Sequence, residues 1–175
     1  MVRVLHADDL EELQRSIPFW NASEYRRRLA AQDRLELVQL VAWANGIPIG
    51  KAMVLFPAHE EYSISAAREG CAEVRDLFVA EDYRRRGVAT ALMDAAERAS
   101  AQYGFETIGL GVAVGEEPAE QLYESLGYRH AHGPFIGSTV LRNEHGEGIV
   151  VGDVMTYLTK SPAAPTTVPS DVRHQ

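Results

Sequence analysis

The segment Glu73-Val-Arg-Asp-Leu-Phe-Val-Ala-Glu-Asp-Tyr-Arg-Arg-Arg-Gly-Val-Ala-Thr90 combines three kinds of local signal. It continues a strand that runs from Cys71 to Val79, crosses a charged turn from Glu81 to Arg86, and enters a helix at Gly87. The first N–H groups of a helix have no acceptor inside it, and the helix dipole adds positive potential there. Arg84, Arg85 and Arg86 stand directly in front of that end, and Gly87 lets the backbone approach a bound group closely. Read alone, such a strand, basic turn and helix start make either an anion site or a solvated arginine run at a turn. The helix is the plainest in the chain. Val88, Ala91, Leu92, Ala95, Ala99 and Tyr103 share one face at spacings of three and four, and Gly104 follows as a cap.

Other phosphate motifs do not fit. The chain has no G-x-x-x-x-G-K-[ST], and Gly109-Leu-Gly111-Val-Ala-Val-Gly115 lacks the spacing and context of a dinucleotide fingerprint. On the N-terminal side, Val2 to Leu5 reads as a short strand. Asp8 and Glu11 form a capping-box pattern before a helix with Leu10, Leu13 and Ile17 on one face. Asn21 and Glu24 repeat it before a second helix, Tyr25 to Gln32, with Phe19-Trp20 as an aromatic joint. Leu35 to Trp43 and Ile47 to Phe56 are strands joined at Asn45-Gly46, a hairpin signal. Ala58 to Gly70 reads as a polar connection. After the long helix come a strand from Glu106 to Val114, a helix from Pro118 to Gly127, and strands at Tyr128 to Ala131, Phe135 to Arg142 and Gly148 to Thr159. Ser161 to Gln175, with three prolines, reads as a disordered tail.

The 175 residues suit one domain. Seventeen basic residues against 25 acidic give a net charge of −8, which argues against nucleic acid as a partner and favours cationic substrates. The single cysteine, Cys71, excludes a disulfide framework, and the absence of a long apolar run or signal-peptide core predicts a cytoplasmic protein with no membrane partner. His130 and His132 share a strand face, but two histidines without a third ligand predict no metal.

Three motifs in order resemble the GNAT-type N-acetyltransferases: Arg75-Asp76-Leu77-Phe78-Val79 as the fourth strand, Arg84-Arg85-Arg86-Gly87-Val88-Ala89 as the R/Q-x-x-G-x-G/A signature, and Ala119-Glu120-Gln121-Leu122-Tyr123-Glu124-Ser125-Leu126-Gly127-Tyr128 as the A-x-x-L-Y-x-x-x-G-F/Y helix and strand. The resemblance spans residues 2 to about 160. It implies an α/β (α+β) fold of the GNAT type: a mixed, mostly antiparallel central sheet of about seven strands flanked by helices, over residues 1–160. It implies acetyl-CoA as donor, with Leu77, Phe78 and Val79 beside its pantetheine arm and Arg84 to Thr90 (Arg84, Arg85, Arg86, Gly87, Val88, Ala89, Thr90) around its pyrophosphate. It further implies an acyltransferase acting on a small-molecule or peptide amine by direct attack, and a homodimer. The alternative is a non-catalytic acyl-CoA-binding module on the same fold.

By that resemblance Glu73, eleven residues before Arg84, is the candidate base. Asp76 competes with it, because a bulge in this strand changes which side chains face the cleft. Tyr123 is the candidate acid for the leaving thiol. Phe19, Trp20 and Tyr25 are candidates for the acceptor pocket or for the core, with a second acceptor wall expected from His132 to Gly148. Glu116 stands where the family often has an asparagine, so one hydrogen-bond donor is missing there.

Overall fold

Asn45 and Gly46 both take positive φ, 50° and 80°, and close a two-residue hairpin between β2 (Leu37–Ala44) and β3 (Ile47–Leu55). The computed structural model describes residues 1–17, 22–142 and 148–161. The candidate residues Phe19 and Trp20, and the tail from 162 onward, lie outside them. β1 (Val2–Val4) lies along the free side of β2, and β3 pairs on its other side with β4 (Ala72–Val79). β4 meets β5 (Ile108–Ala113) in parallel, and β5 then pairs antiparallel with β7 (Gly148–Lys160), which pairs with β6 (Arg129–Arg142). One seven-stranded sheet results, in the order β1-β2-β3-β4-β5-β7-β6, with a single parallel pair.

Helices cover both faces because the strands alternate. On β3, Ala52 and Val54 face the layer of α4 (Val88–Gln102), where Leu92, Met93 and Ala96 are buried. Met53 and Leu55 face the other layer, with Ala31 of α2 (Ala22–Asp33). Leu13 and Ile17 of α1 (Leu10–Ser16) and its end pack with Leu5, Tyr25 and Val41 in that same layer. Gly50 sits where α4 crosses β3. A Cβ there would stand 2.8 Å from the Phe78 carbonyl oxygen and 3.2 Å from both Val88 and Leu92.

Three local expectations are corrected. Asp9, not Asp8, makes the helix-start bond: its carboxylate accepts the His6 N–H at 2.9 Å and pairs with Arg3 at 2.6 Å. The connection from Ala58 to Gly70 contains a helix, α3 (Ile64–Glu69), capped by the Ser63 hydroxyl accepting the Ala66 N–H. The two strands expected at Tyr128–Ala131 and Phe135–Arg142 are one strand, β6, irregular between His130 and Phe135. The last long helix is α5 (Glu117–Ser125), with Pro118 in its first turn.

Candidate active site

β4 keeps its parallel pairing with β5 for only two positions, Ala72 opposite Ile108 and Glu73 opposite Gly109. Past Glu73 the strand bulges. Opposite β3 the register jumps from Met53–Arg75 to Lys51–Phe78, and Asp76 takes φ 53°. The bulge bends β4 away from β5, so Leu77, Phe78 and Val79 border an opening within the sheet.

That opening belongs to a groove of about 750 Å3. Leu77, Phe78, Val79, Arg84, Arg85, Gly87, Val88, Ala89 and Thr90 line one side, and α5 lines the other with Ala119, Leu122 and Tyr123. Gly87 is the residue that starts α4. Its φ is 80°, a conformation that favours glycine, and a Cβ there would meet no protein atom within 4 Å. The space in front of it is open, and the first-turn N–H groups of Val88, Ala89 and Thr90 have no acceptor inside the helix. Arg85 also takes positive φ, 60°, and the Arg84 guanidinium donates to the Val79 carbonyl at 3.2 Å, which fixes the turn against the strand. This cradle fits a phosphate-bearing ligand. Arg86 is not among the residues that line the groove, and its guanidinium lies over the Tyr83 ring, 5.8 Å from its centre.

A second cavity, of about 290 Å3, shares Leu77 and Tyr123 with the groove. Glu73, Arg75 and Asp76 supply its charged lining, and Leu110, Phe135, Met155 and Tyr157 its apolar side. Glu73 and Tyr123, far apart in sequence, thus face one space. Glu73 is 2% exposed. Its Oε1 accepts the Ser63 hydroxyl at 2.7 Å, its Oε2 accepts the Ser63 N–H at 3.0 Å, and the Arg75 guanidinium lies 3.9 Å away. Tyr123 packs edge-on to Tyr128 with ring centres 6.1 Å apart, and burial pushes its phenol above the ordinary range, so it stays protonated. Behind Glu73, the Tyr157 hydroxyl lies 3.5 Å from Cys71 Sγ, and burial raises both groups. Gly109 leaves room for them, since a Cβ there would stand 2.6 Å from the Tyr157 ring.

Asp76 lines the same cavity, but the Arg28 guanidinium holds its carboxylate at 2.7 Å. Arg28 is 6% exposed and also pairs with Glu24 and Glu61, so the arginine run of α2 is only partly a wet face. Nearby Lys51 is 8% exposed, and burial brings its ammonium down to about 8.

Tyr25 is corrected as a pocket residue. It is 1% exposed, packs between Leu5, Leu13 and Val41, and borders neither the groove nor the second cavity. The helical turn that exposes Arg26 points Tyr25 into the core. His130 and His132 do not share a face. The strand irregularity between them sends His130 to Glu120 at 2.9 Å and His132 to Glu69 at 3.0 Å, stacked on Tyr157. The expected acceptor wall from His132 to Gly148 contributes Phe135 and Gly137 to the cavity, and residues 143–147 lie outside those described. Glu116 borders the groove, as its position before α5 predicts. Ser63 was missed in the sequence, although a serine seven residues before Gly70 is a readable cap-to-cap spacing.

Residues 6–128 match the model of the Acetyltransferase (GNAT) family. The chain belongs to this family. The GNAT enzymes are acyltransferases whose donor is acetyl-CoA, and the groove at Gly87 fits that donor. A curated relative, an N-alpha-acetyltransferase of Sulfurisphaera tokodaii, is 36% identical over 76 residues, 43% of this chain and 41% of the relative. The chain therefore matches less than half of that relative's length. Among solved structures, an N-acetyltransferase from Staphylococcus aureus Mu50 superposes with a TM-score of 0.66 at 15% identity, over 93% of this chain and 98% of that one. Spermidine N-acetyltransferase from Vibrio cholerae, solved with CoA and spermine, gives 0.65 at 18% identity, over 94% and 96%. At these identities the two structures speak for the fold. Among the described residues, no helix is long and apolar enough to cross a membrane.

Proposed function

We propose that this GNAT chain transfers an acetyl group from acetyl-CoA to a primary amine of a small molecule or peptide, by direct attack. The observation that carries the reading is the junction of the two cavities: Glu73 and Tyr123 face one space, and that space meets the Gly87 groove at Leu77 and Tyr123.

Acetyl-CoA supplies a thioester whose carbonyl carbon receives the amine and whose sulfur leaves as a thiol. Val88, Ala89 and Thr90 offer backbone N–H groups to its phosphates, and Arg84 and Arg85 add charge. Glu73 takes a proton from the acceptor ammonium, directly or through a water, and so frees the nitrogen lone pair. As the C–N bond forms and the C–S bond breaks, the Tyr123 phenol gives its proton to the sulfur, and the proton shed by the new amide nitrogen returns to solvent. The balance is one ammonium and one thioester converted to one amide, one thiol and one released proton. A backbone N–H near Leu77 or Phe78 serves the developing oxyanion. Direct attack is favoured because the sole cysteine, Cys71, is fully buried with its thiol raised by burial, the opposite of an activated nucleophile.

The acceptor is an amine next to an apolar group. Glu73 and Asp76 suit its charge, and Phe135, Met155 and Tyr157 suit its apolar neighbour. Residues 1–160 form the catalytic unit, and the buried free thiol fits a reducing, cytoplasmic setting. Thiol release from acetyl-CoA should be followed over polyamines, aminoglycosides, amino acids and peptides with apolar first residues. Tyr123→Phe should lower kcat by ~10²–10⁴-fold while keeping the stabilisation by CoA. CoA-dependent stabilisation with no turnover of any amine would instead favour an acyl-CoA-binding module.

A further inference from the structure

Among the described residues, one residue from outside its own strand hydrogen-bonds Glu73. Ser63 ends the loop before α3, with φ −78° and ψ 156°. Its Oγ accepts the Ala66 N–H at 3.0 Å, so its single hydroxyl proton is turned outward, and that proton goes to Glu73 Oε1 at 2.7 Å. The Ser63 backbone N–H takes Oε2 at 3.0 Å. One residue therefore binds both oxygens of the carboxylate. Each oxygen has two acceptor positions, so one on each is left unused by Ser63, and Glu73 lines the cavity.

The placement of Ser63 is itself fixed. α3 ends at Gly70 with φ 63°, the Cys71 N–H returns to the Ala66 carbonyl at 3.2 Å, and the Tyr62 hydroxyl donates to the Cys71 carbonyl at 2.5 Å. Helix and strand are thereby tied at both ends of the ten-residue span between Ser63 and Glu73. Other groups around the carboxylate bind it less directly. Arg75 stands at 3.9 Å, and Tyr62, Tyr157 and Cys71 feel its charge without a hydrogen bond to it. Its strand neighbours, Leu55 on β3 and Gly109 on β5, carry no charge, and Asp76 is occupied by Arg28.

We propose that Ser63 is a positioning residue for the reaction: by holding both oxygens it fixes the place and rotation of the Glu73 carboxylate on the cavity wall. The inference rests on the reading of Glu73 as the base. A general base must stand within hydrogen-bond reach of the proton it takes, and a carboxylate held at both oxygens cannot rotate away from that position.

The test is kcat and KM for the amine, read separately for wild type, Ser63→Ala, Ser63→Gly, Ser63→Thr and Glu73→Gln, with CoA-dependent stabilisation as the check on folding. Ser63→Gly is included because glycine at a helix cap costs only a few tenths of a kcal/mol, which separates the hydroxyl from the cap. Ser63→Ala and Ser63→Gly should both lower kcat by about ten- to a hundredfold with KM little changed, and Ser63→Thr should stay close to wild type. A merely structural serine would lower the melting temperature and leave kcat of the folded protein in place. If Glu73→Gln loses rate but both Ser63 variants keep the wild-type kcat, the role of Ser63 is overturned and the base reading stands. If Glu73→Gln turns over at the wild-type rate, the base reading fails and the role of Ser63 goes with it.

Discussion

Gly50→Ala should loosen the donor groove without touching it. A Cβ at Gly50 would stand 2.8 Å from the Phe78 carbonyl oxygen, about 0.6 Å short of the 3.4 Å at which ordinary contacts begin. That oxygen belongs to the β3–β4 ladder and cannot swing aside as a side chain would. The Val88 and Leu92 methyls at 3.2 Å can give way, but only if the start of α4 backs off the sheet. Overpacking of this kind costs ~1–3 kcal/mol. Replacing glycine by alanine offsets part of it, ~0.4–1 kcal/mol, by restricting the unfolded chain. The net loss is then roughly 0.5–2 kcal/mol, and at 2–4 °C per kcal/mol for a chain of this size the melting temperature should fall by about 1–8 °C. The same displacement moves the N–H groups of Val88 and Ala89, so CoA affinity should drop by about tenfold, roughly 1.4 kcal/mol. Calorimetry and titration of CoA read both quantities on one sample. An unchanged melting temperature with unchanged affinity would refute the claim that Gly50 sets the approach of α4. A fall in stability alone would refute its link to the groove.

The remaining expectations concern charge. Gly87→Asp should abolish CoA binding, while Gly87→Asn, which tolerates the same φ of 80°, should weaken it less; both should stay folded, because a Cβ there meets no atom within 4 Å. Equal CoA affinity for the aspartate variant and wild type would remove the phosphate assignment. Lys51 titrates near 8 in the fold against 10.5 when unfolded, so between those values the unfolded chain binds more protons and this residue's contribution to stability rises with pH. Measured as wild type against Lys51→Met, the difference should change by about 1 kcal/mol from pH 8 to 9, in favour of wild type. A flat difference would show that its burial costs the ammonium nothing.

The parts of this site that could be read from the chain are those whose cause is local. Gly87 ahead of an amphipathic helix, and arginines ahead of Gly87, dictate an anion cradle wherever the fold puts it. Motif position puts Glu73 and Tyr123 forward, and both border one cavity, while a bulge beside Asp76 is foreseeable in the same strand. The unread parts depend on partners distant in sequence. Arg28 looks like its exposed neighbour Arg26, and only Asp76 and Glu61, arriving from other elements, make it a buried ion. Tyr25 could line a pocket or fill the core, and the packing of Leu5, Leu13 and Val41 decides for the core. α3 has only six residues, too few for a periodic pattern, yet its cap reaches Glu73. Arg86 is indistinguishable from Arg84 and Arg85 in sequence, and the turn alone directs it to Tyr83.

The parting of β4 from β5 also bears on how the protein behaves without its donor. An unpaired strand flank is a template for pairing, and proteins ordinarily keep such flanks at the rim of a sheet, shortened or shielded. Here one lies in the interior, between the fourth and fifth of seven strands. A ligand that lies along Leu77 to Val79 acts there as a missing strand, and it closes a seam that is otherwise open to any extended chain of suitable width. Donor-free preparations should therefore be the sticky ones, and saturating CoA should slow both amide exchange at Leu77–Val79 and self-association on storage.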